Sequence, residues 1–318
     1  MMANMSFSNA PDKKLLGRIA GSLGVDESFV EKDFYVVEAI RILQICATDD
    51  LTPVFSGGTA LLKAHRLIER FSEDMDFKLR LSDGFTAKSP GQRRAILSRF
   101  KNDIVAAWTE AGFEVVDIIA RDQNGFIAVN MQYPSVIATS DMHPALRPHI
   151  LAEISAKPPK MASVPKSVQS FVSAERGDAP EVSEIACIDP VETAADKLSA
   201  FAWRSIVRDR DHPDDDPAII RHVHDLAKLA PVIESDENFP RLLNEVMVAD
   251  RNRGQGQLVD MAPADRLTRM NDLLISDPAL KDDYETFVIG MAFASSPDTP
   301  SFEEAAAAVE KLSSLFKT

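Results

Sequence analysis

Residues 55–59 read FSGGT and residues 70–77 read RFSEDMDF, and these two stretches decide the fold. The first places two glycines and a hydroxyl where a short apolar strand gives way to a helix. In the second, Asp74 and Asp76 alternate with apolar residues, Met75, Phe77 and Leu79. Residues i and i+2 of a strand point to one face, so the two carboxylates are expected side by side. Because such charges repel unless a cation lies between them, the pattern predicts a divalent metal beside a phosphate cradle, and hence nucleotide chemistry.

The bulk composition predicts a cytoplasmic protein with a large core. A chain of 318 residues, 45% of them hydrophobic, suits one large domain or two intimate ones. No apolar run approaches the roughly 20 residues that cross a bilayer, so no membrane association is expected. Residues 1–12 lack the pattern of a signal peptide. Cys46 and Cys187 lie among apolar neighbours and are expected to be reduced core residues.

The formal net charge of −14 limits the partners. Proteins that coat nucleic acid are usually basic, so general DNA or RNA binding is not expected. A local patch for RNA, or a basic partner protein attracted over a distance, is still compatible with this charge.

The periodicity predicts an α/β (α+β) fold in two parts. Helical patterns cover residues 13–48, 59–67 and 89–112, and strand patterns cover residues 54–55, 75–81, 113–119, 126–132, 150–155 and 185–188. Residues 158–180 show weak periodicity and are expected to be mostly loop. From Pro190 onward the pattern is helical, interrupted by a charged loop at residues 209–217. We therefore expect an α/β domain over residues 1–184 and a mainly helical domain over residues 185–318.

The combination of Gly-Gly, a spacer and Asp-x-Asp resembles the nucleotidyltransferase superfamily. The spacer, residues 59–73, is longer than in many members, and with Arg70 and Ser72 before Asp74 it looks like the abortive-infection toxins of the AbiEii type. Three further blocks are similar to elements of that family: residues 30–35 (VEKDFY), 197–204 (KLSAFAWR) and 221–226 (RHVHDL). The resemblance spans roughly residues 25–230 and is not seen beyond them.

The resemblance implies a nucleotidyltransferase-like mixed sheet with flanking helices, followed by a helical domain that contributes to the site. Gly57 and Gly58 would let the backbone approach a triphosphate, with Ser56 and Thr59 adding hydroxyl donors. Glycine pairs are also common in plain turns, and here the Asp-x-Asp motif behind them favours the functional interpretation.

Three carboxylates are the implied metal ligands. Asp74 and Asp76 would coordinate Mg²⁺, with Mn²⁺ as an alternative, and Glu153 would be the third ligand from a neighbouring strand. The competing interpretations are a solvated strand face for the aspartates and an edge-strand charge for Glu153. The apolar neighbours of Asp74 and Asp76 argue against solvation, because unpaired buried acids are costly.

The remaining site residues are cationic or pair with cations. Arg70 and Ser72 would lie beside the metal, with Arg70 binding phosphate, holding the strand through a carboxylate, or merely solvating a helix end. Lys197 and Arg204 are seven residues apart and share a helix face. Lys197 would meet the triphosphate and Arg204 would pair with phosphate or acid; a plain surface charge pattern is the alternative.

Asp225 would either hold the lysine or act as a base. His222 and His224 do not share a helix face, so a zinc site is not expected. Arg147, together with three lysines, offers a basic rim for RNA, although loop charges are usually only solvated; the lysines are Lys157, Lys160 and Lys166.

The function implied is transfer of a nucleotide from an NTP to a hydroxyl, with pyrophosphate leaving. The resembled family implies a toxin with a cognate antitoxin, and tRNA or another cellular target as acceptor. The acidic chain suits RNA poorly, so a protein hydroxyl is also an open acceptor. Two alternatives are a phosphotransferase that uses the γ-phosphate and an inactive module that binds a nucleotide or a partner.

Overall fold

The computed structural model describes residues 7, 9–213, 215–293 and 298–316, and it divides into two compact units. The first contains the described residues up to Arg66, then Phe71–Ile188 and Phe293. The second contains Leu67–Arg70, Asp189–Ala292 and the described residues from 298 onward. Asp214 of the predicted charged loop, and the extreme ends of both predicted domains, lie outside the described residues.

The first unit is built on a seven-stranded mixed sheet of order β3-β4-β5-β2-β1-β7-β6. Strand β2 is antiparallel to β1 and parallel to β5, and β1 is parallel to β7. The strands are β1 Leu51–Ser56, β2 Met75–Leu81, β3 Glu114–Arg121, β4 Phe126–Gln132, β5 Ile150–Ser155, β6 Val164–Val168 and β7 Val182–Cys187. The mixed α/β class expected from the sequence is thereby confirmed.

Helices pack against this sheet, and the longest has strong sequence signals at both ends. The α-helices of the unit are α1 Lys13–Leu23, α2 Glu27–Ile45, α3 Gly57–Ala60, α4 Asp83–Thr86, α5 Pro90–Ala111 and α6 Phe171–Arg176. Ser89 and Gln92 form a capping box at the start of α5, and Gly112 ends it in the left-handed conformation. The buried Trp108 of α5 donates its indole N–H to the carbonyl of Ala39 in α2 at 3.0 Å, which joins two helices of the core.

The second unit is helical where the structure describes it. Its α-helices are α7 Pro190–Val207, α8 Arg221–Ile233, α9 Phe239–Ala249, α10 Pro263–Ser276, α11 Ala279–Phe287 and α12 Phe302–Ser314. Asp189 caps α7 by accepting from the backbone N–H of Val191, and Pro190 occupies the first turn. Helices α8, α9 and α10 all pack on α7, which is therefore the central helix of the unit. No helix in the described ranges is both long and apolar enough to span a membrane.

Two stretches differ from the sequence prediction. Residues 158–180, expected to be mostly loop, contain β6 and α6, which are too short and too rich in polar residues to give a clear period. Residues 59–67, expected to be one helix, form α3 and then a π-turn, Leu61–His65, ended by Arg66 in the left-handed conformation. The predicted domain boundary at 184/185 falls inside β7, whereas the units divide after Ile188.

Candidate active site

Gly57 lies at the sharp turn between β1 and α3. Its φ of +75° is a conformation that L side chains rarely adopt. A Cβ built on Gly57 would lie 1.9 Å from Oδ2 of Asp76, so the aspartate side chain fills the space that any other residue would need. The glycine and the second aspartate of the motif are thus in direct contact, although 19 positions separate them in the numbering.

Strand β2 carries the alternation that the sequence predicts. Met75, Phe77 and Leu79 are buried, and Asp74 and Asp76 are half-buried. Asp76 is in register with Ser56 of β1 and with Glu153 of β5. Residues directly opposite each other in a sheet share a face, and neighbouring strands are about 4.8 Å apart. Ser56, Asp76 and Glu153 therefore form one row across the sheet.

Arg147 is a counter-charge for the first aspartate. Its Nη1 lies 3.0 Å from Oδ1 of Asp74, and both side chains are partly exposed. The sequence suggested Arg147 only as part of a basic rim, because 73 positions separate it from Asp74. The structure places it next to the Asp-x-Asp motif.

A buried ion pair fixes the residue before Asp74. Lys32 of α2 contacts Glu73 at 2.5 Å, and both side chains are almost inaccessible. The Lys32 ammonium also donates to the carbonyl of Arg147 at 2.7 Å, and the Arg147 backbone N–H donates to Glu73 at 3.1 Å. Burial lowers the pKa of Lys32, against the opposing charge of Glu73. This network joins α2, the segment before β2 and the segment before β5.

Thr59 and Ser72, both predicted to bind nucleotide, contact each other within the protein. The Thr59 hydroxyl oxygen lies 3.0 Å from that of Ser72 and donates to the carbonyl of Asp74. Thr59 is buried, with 1% of its surface exposed. Its hydroxyl therefore holds the glycine turn against residues 72–74, and a nucleotide-binding role for it stays a prediction.

The donor chemistry at β2 fits a hard divalent cation. Two half-buried carboxylates stand two residues apart, Asp74 just before β2 and Asp76 within it, and carboxylate oxygen is the ligand that Mg²⁺ prefers. Within the described ranges, no group of three His, Cys, Asp or Glu side chains is arranged to hold a metal. Mg²⁺ often uses one or two carboxylates together with substrate phosphates and water, so two carboxylates would be enough to hold it. Glu153 as a third ligand stays a prediction.

In the second unit, Asp225 of α8 is the centre of a buried charge cluster. Arg70 donates to it from two nitrogens, at 2.8 and 2.6 Å, and Lys197 of α7 lies 2.9 Å away. His224 contacts it through Nδ1 at 3.1 Å. Burial alone would raise the pKa of Asp225, but Arg70 and Lys197, with hydrogen bonds from His224 and Arg70, hold it well below its usual range.

This cluster separates the roles that the sequence left open. Arg70 holds a carboxylate, which was one of its three predicted roles. Asp225 holds both Lys197 and Arg70, and an acid with a depressed pKa that is surrounded by cations is a weak proton acceptor. Arg204 pairs with an acid, Asp216, at 2.7 Å. Binding of phosphate by Arg70, Lys197 or Arg204 stays a prediction.

Sequence reasoning missed the function of three adjacent charges in α2. Glu31, Lys32 and Asp33 are all buried, and each contacts a different segment. Glu31 accepts from the backbone N–H of Val136 at 2.6 Å, and Asp33 pairs with Lys63 at 2.7 Å. The available signal was three consecutive charges inside an otherwise apolar helix, since such charges are buried only when they are paired.

The sequence matches the family model described as the nucleotidyl transferase AbiEii toxin of type IV toxin–antitoxin systems, over residues 41–308. The chain belongs to the AbiEii family. The match extends well past residue 230, where no resemblance was visible in the sequence, and it begins after the VEKDFY block. Membership of the AbiEii family makes the chain a nucleotidyltransferase toxin with a nucleotide substrate and implies an antitoxin partner.

Curated protein sequences give no match. Among solved structures, MenT4, a nucleotidyltransferase toxin from Mycobacterium tuberculosis H37Rv, is similar with a TM-score of 0.49 and 16% identity, over 97% of this chain and 100% of that one.

Proposed function

We propose that this AbiEii-family chain transfers an NMP from an NTP to a hydroxyl acceptor in a reaction that depends on Mg²⁺, with Mn²⁺ as an alternative. The observation that carries the proposal is the Asp76 carboxylate, which occupies the space beside Gly57 and lies two residues after Asp74, at the start of β2. A strand that only faces solvent has no need of a glycine with positive φ packed against its acid.

The two carboxylates would hold the metal. When bound, Mg²⁺ neutralises charge on the triphosphate and lowers the pKa of an attacking hydroxyl. Arg147 offsets part of the charge of Asp74. The buried Lys32–Glu73 ion pair fixes the backbone next to Asp74. Glu153 is proposed as a third carboxylate because its register with Asp76 puts it in the same row.

The proposed reaction forms one phosphorus–oxygen bond and breaks another. The acceptor hydroxyl oxygen bonds to the α-phosphorus, the bond from that phosphorus to the bridging oxygen breaks, and pyrophosphate leaves. The hydroxyl proton passes to water. Gly57 and Gly58 keep the turn free of side chains where phosphate would approach.

The acceptor is proposed to be RNA, with tRNA as the first candidate and a protein hydroxyl as the second. The chain's acidity is uneven: residues 189–318 carry 25 Asp and Glu against 14 Lys and Arg, and residues 1–188 carry 24 against 21. The unit that contains Asp74 and Asp76 is therefore close to neutral. Repulsion of a polyanion is weaker there than the net charge of −14 suggests. The proposed activity is cytoplasmic, because tRNA and NTPs are both found there.

The test is nucleotide labelling of a cell extract. Purified protein is incubated with each α-³²P-labelled NTP, Mg²⁺ and either total RNA or the protein fraction. Asp76→Asn is expected to lower the rate at least about 100-fold, because a direct metal ligand exceeds the 10–100-fold effect of outer-shell partners. Asp117→Asn, the same change on an exposed site of β3, is the matched control and is expected to retain full activity.

The outcomes separate the alternatives. Equal labelling by wild type and Asp76→Asn would rule out the assignment of Asp76. Label from γ-³²P but not α-³²P NTP would favour a phosphotransferase, and no label from either would favour a binding module. Lys197→Ala and Lys197→Arg in the same assay test the predicted contribution of Lys197, since only the arginine variant keeps the positive charge.

A further inference from the structure

The two edges of the sheet are built differently. Edge strand β6 has five residues, includes Pro165 and Lys166, and carries a register shift between Lys166 and Val168. Proline, lysine, short length and bulges are the devices by which proteins prevent edge strands from pairing with other chains. The opposite edge, β3, has eight residues, EVVDIIAR, with neither proline nor lysine. It therefore lacks most of the protection that β6 has.

Apolar side chains are unusually exposed along β3. Val116, Ile118 and Ile119 are 55%, 39% and 37% exposed. Of the eight residues of β3, Val115 is half-buried and the other seven are exposed. Among the described residues, no strand pairs with the outer side of β3. The outward N–H and C=O groups of this strand form a template for another strand.

A bulge in β3 places an acidic and a basic residue on the same face of the strand, one at each end. Val115, Ile118 and Ala120 pair with Met131, Val129 and Ile127 of β4, which belong to the main hydrophobic core, so they face the core side of the sheet. The register shift between Val115 and Asp117 leaves Glu114, Asp117, Ile119 and Arg121 on the other face. Without the extra residue, Glu114 and Arg121, seven positions apart, would point to opposite faces. With it, an acid and a base stand at the two ends of the same face.

We propose that β3 pairs with β3 of a second copy of this chain, antiparallel and centred on Ile118. In this register Ile118 lies opposite Ile118 of the second copy, and Val115 lies opposite Ala120. Glu114 at each end lies opposite Arg121 of the other copy, which gives two equivalent ion pairs related by a twofold axis. Asp117 lies on the other face, where it stays open to water.

The charges at the two ends of β3 favour β3 of a second copy over an arbitrary strand as the pairing partner. Opposite charges directly across an antiparallel pair stabilise it, and like charges destabilise it. Only a strand with a base opposite Glu114 and an acid opposite Arg121 satisfies both ends, and β3 itself is such a strand. The resulting dimer has one continuous sheet in which each copy contributes seven strands. Strands β4 and β5 lie between β2, which carries Asp76, and the new interface.

Strand pairing alone is a small contact. Stable interfaces bury about 1,200–2,000 Å², and a single pair of strands lies at or below the low end. The dimer is therefore expected to be weak and to depend on concentration. The pairing is independent of the proposed reaction, so labelling activity per chain is expected to be the same in variants that do not dimerise.

Cysteine crosslinking tests the register. Ile118→Cys places a thiol opposite its own copy, within the short distance that a disulfide needs. Mild oxidation of the full chain is expected to give a covalent dimer in high yield. Val232→Cys is the matched control, because the side chain of Val232 is also 39% exposed. The wild type measures any crosslinking through the native free cysteines, Cys46 and Cys187. Equal crosslinking of the 118 and 232 variants would overturn the proposal.

A charge swap tests the pairing without introducing a thiol. In sedimentation velocity over a range of concentrations, Glu114→Arg is expected to weaken the dimer at least about tenfold, because two arginines then face each other at each end. Glu114→Arg combined with Arg121→Glu is expected to restore wild-type association. Glu237→Arg, on an exposed site of the other unit, controls for the change in net charge. A wild type that stays monomeric at about 200 μM, or a double variant no better than the single one, would overturn the proposal.

Discussion

Asp76 and Asp225 both lie in stretches that resemble motifs of one toxin family, and their surroundings are opposite. Asp76 is half-buried on a strand and lies against a glycine. Asp225 is fully buried on a helix and is surrounded by Arg70, Lys197 and His224. An acid that already has two cations and a histidine around it has little capacity for a ligand. Asp76 lies on a strand at intermediate exposure, and its neighbour Asp74 pairs with a partly exposed arginine.

The comparison shows that matching a motif does not by itself assign a role. The two carboxylates differ in what their loss would cost. Substitution of Asp76 is expected to lower the labelling activity. Substitution of Asp225 is expected to lower the free energy of unfolding. Each of the following experiments measures one side of this difference.

The largest expected effect on stability is that of Asp225→Asn. Loss of one partner of a buried ion pair leaves uncompensated charge, which costs about 3–5 kcal/mol of the free energy of unfolding. Asp76→Asn keeps the size and shape of the half-buried side chain and leaves no buried charge unpaired, so it is expected to change this free energy by less than about 1 kcal/mol. Guanidinium unfolding of both variants measures the difference.

A second variant separates lost pairing from lost packing at Asp225. Asp225→Asn combined with Lys197→Met removes one of the two unpaired cations, so part of the lost stability is expected to return. If Asp225→Asn and Asp76→Asn proved equally stable, the contrast between the two aspartates would be wrong.

Gly57→Ala is expected to have the next largest effect and to disturb both stability and activity. Gly177 provides a control with nearly the same backbone: its φ is +72°, and nothing lies within 4 Å of a built Cβ. Gly177→Ala is expected to cost about 1–2 kcal/mol for the left-handed conformation alone. Gly57→Ala adds a clash with the Asp76 carboxylate, so it is expected to cost more and to lower labelling activity. Equal losses in the two variants would show that the contact between Gly57 and Asp76 is unimportant.

The smallest expected effect is a dependence of stability on pH that originates at His224. Burial lowers the pKa of His224, against the opposing hydrogen bond and charge of Asp225. The histidine takes up a proton near pH 6.5 in the unfolded chain but only at lower pH in the folded one. Stability is therefore highest above this pH and declines as the pH falls toward the folded pKa, by up to about 1 kcal/mol at pH 5.5.

His224→Gln, which can still donate to Asp225, is expected to reduce this decline. Unfolding of the two proteins at pH 7.5 and 5.5 measures the difference in slope. The low pKa of Asp225 keeps its own contribution intact over this range, because that contribution is lost only when the carboxyl group protonates at much lower pH. A slope unchanged by the substitution would assign the effect to other groups.

Local signals predicted much of this molecule. The alternation of residues 75–81 gave β2 with its observed bounds, and the helical pattern of residues 89–112 gave α5 together with its two capping residues. These elements are determined by side-chain period and by end residues, both of which are visible in a short window. Strand β6 and helix α6 were missed because five or six residues with polar members show no clear period.

The contacts around the candidate site were beyond such signals. Asp74 pairs with Arg147, 73 positions away, and Lys32 pairs with Glu73, 41 positions away. The composition of these residues suits a surface equally well, and only the folded chain shows that Lys32 and Glu73 are buried together. The Asp-x-Asp pattern identified where the acids are, and the tertiary structure identified what holds them.

The network of Lys32, Glu73 and Arg147 has a consequence for the chain during its synthesis. Asp74 is fixed by groups from α2, made earlier, and from the segment before β5, made more than 70 residues later. At about 5–20 residues per second, a ribosome needs several seconds to supply that second half. A nascent chain therefore has its Asp-x-Asp motif several seconds before it has Arg147, which completes the network around that motif.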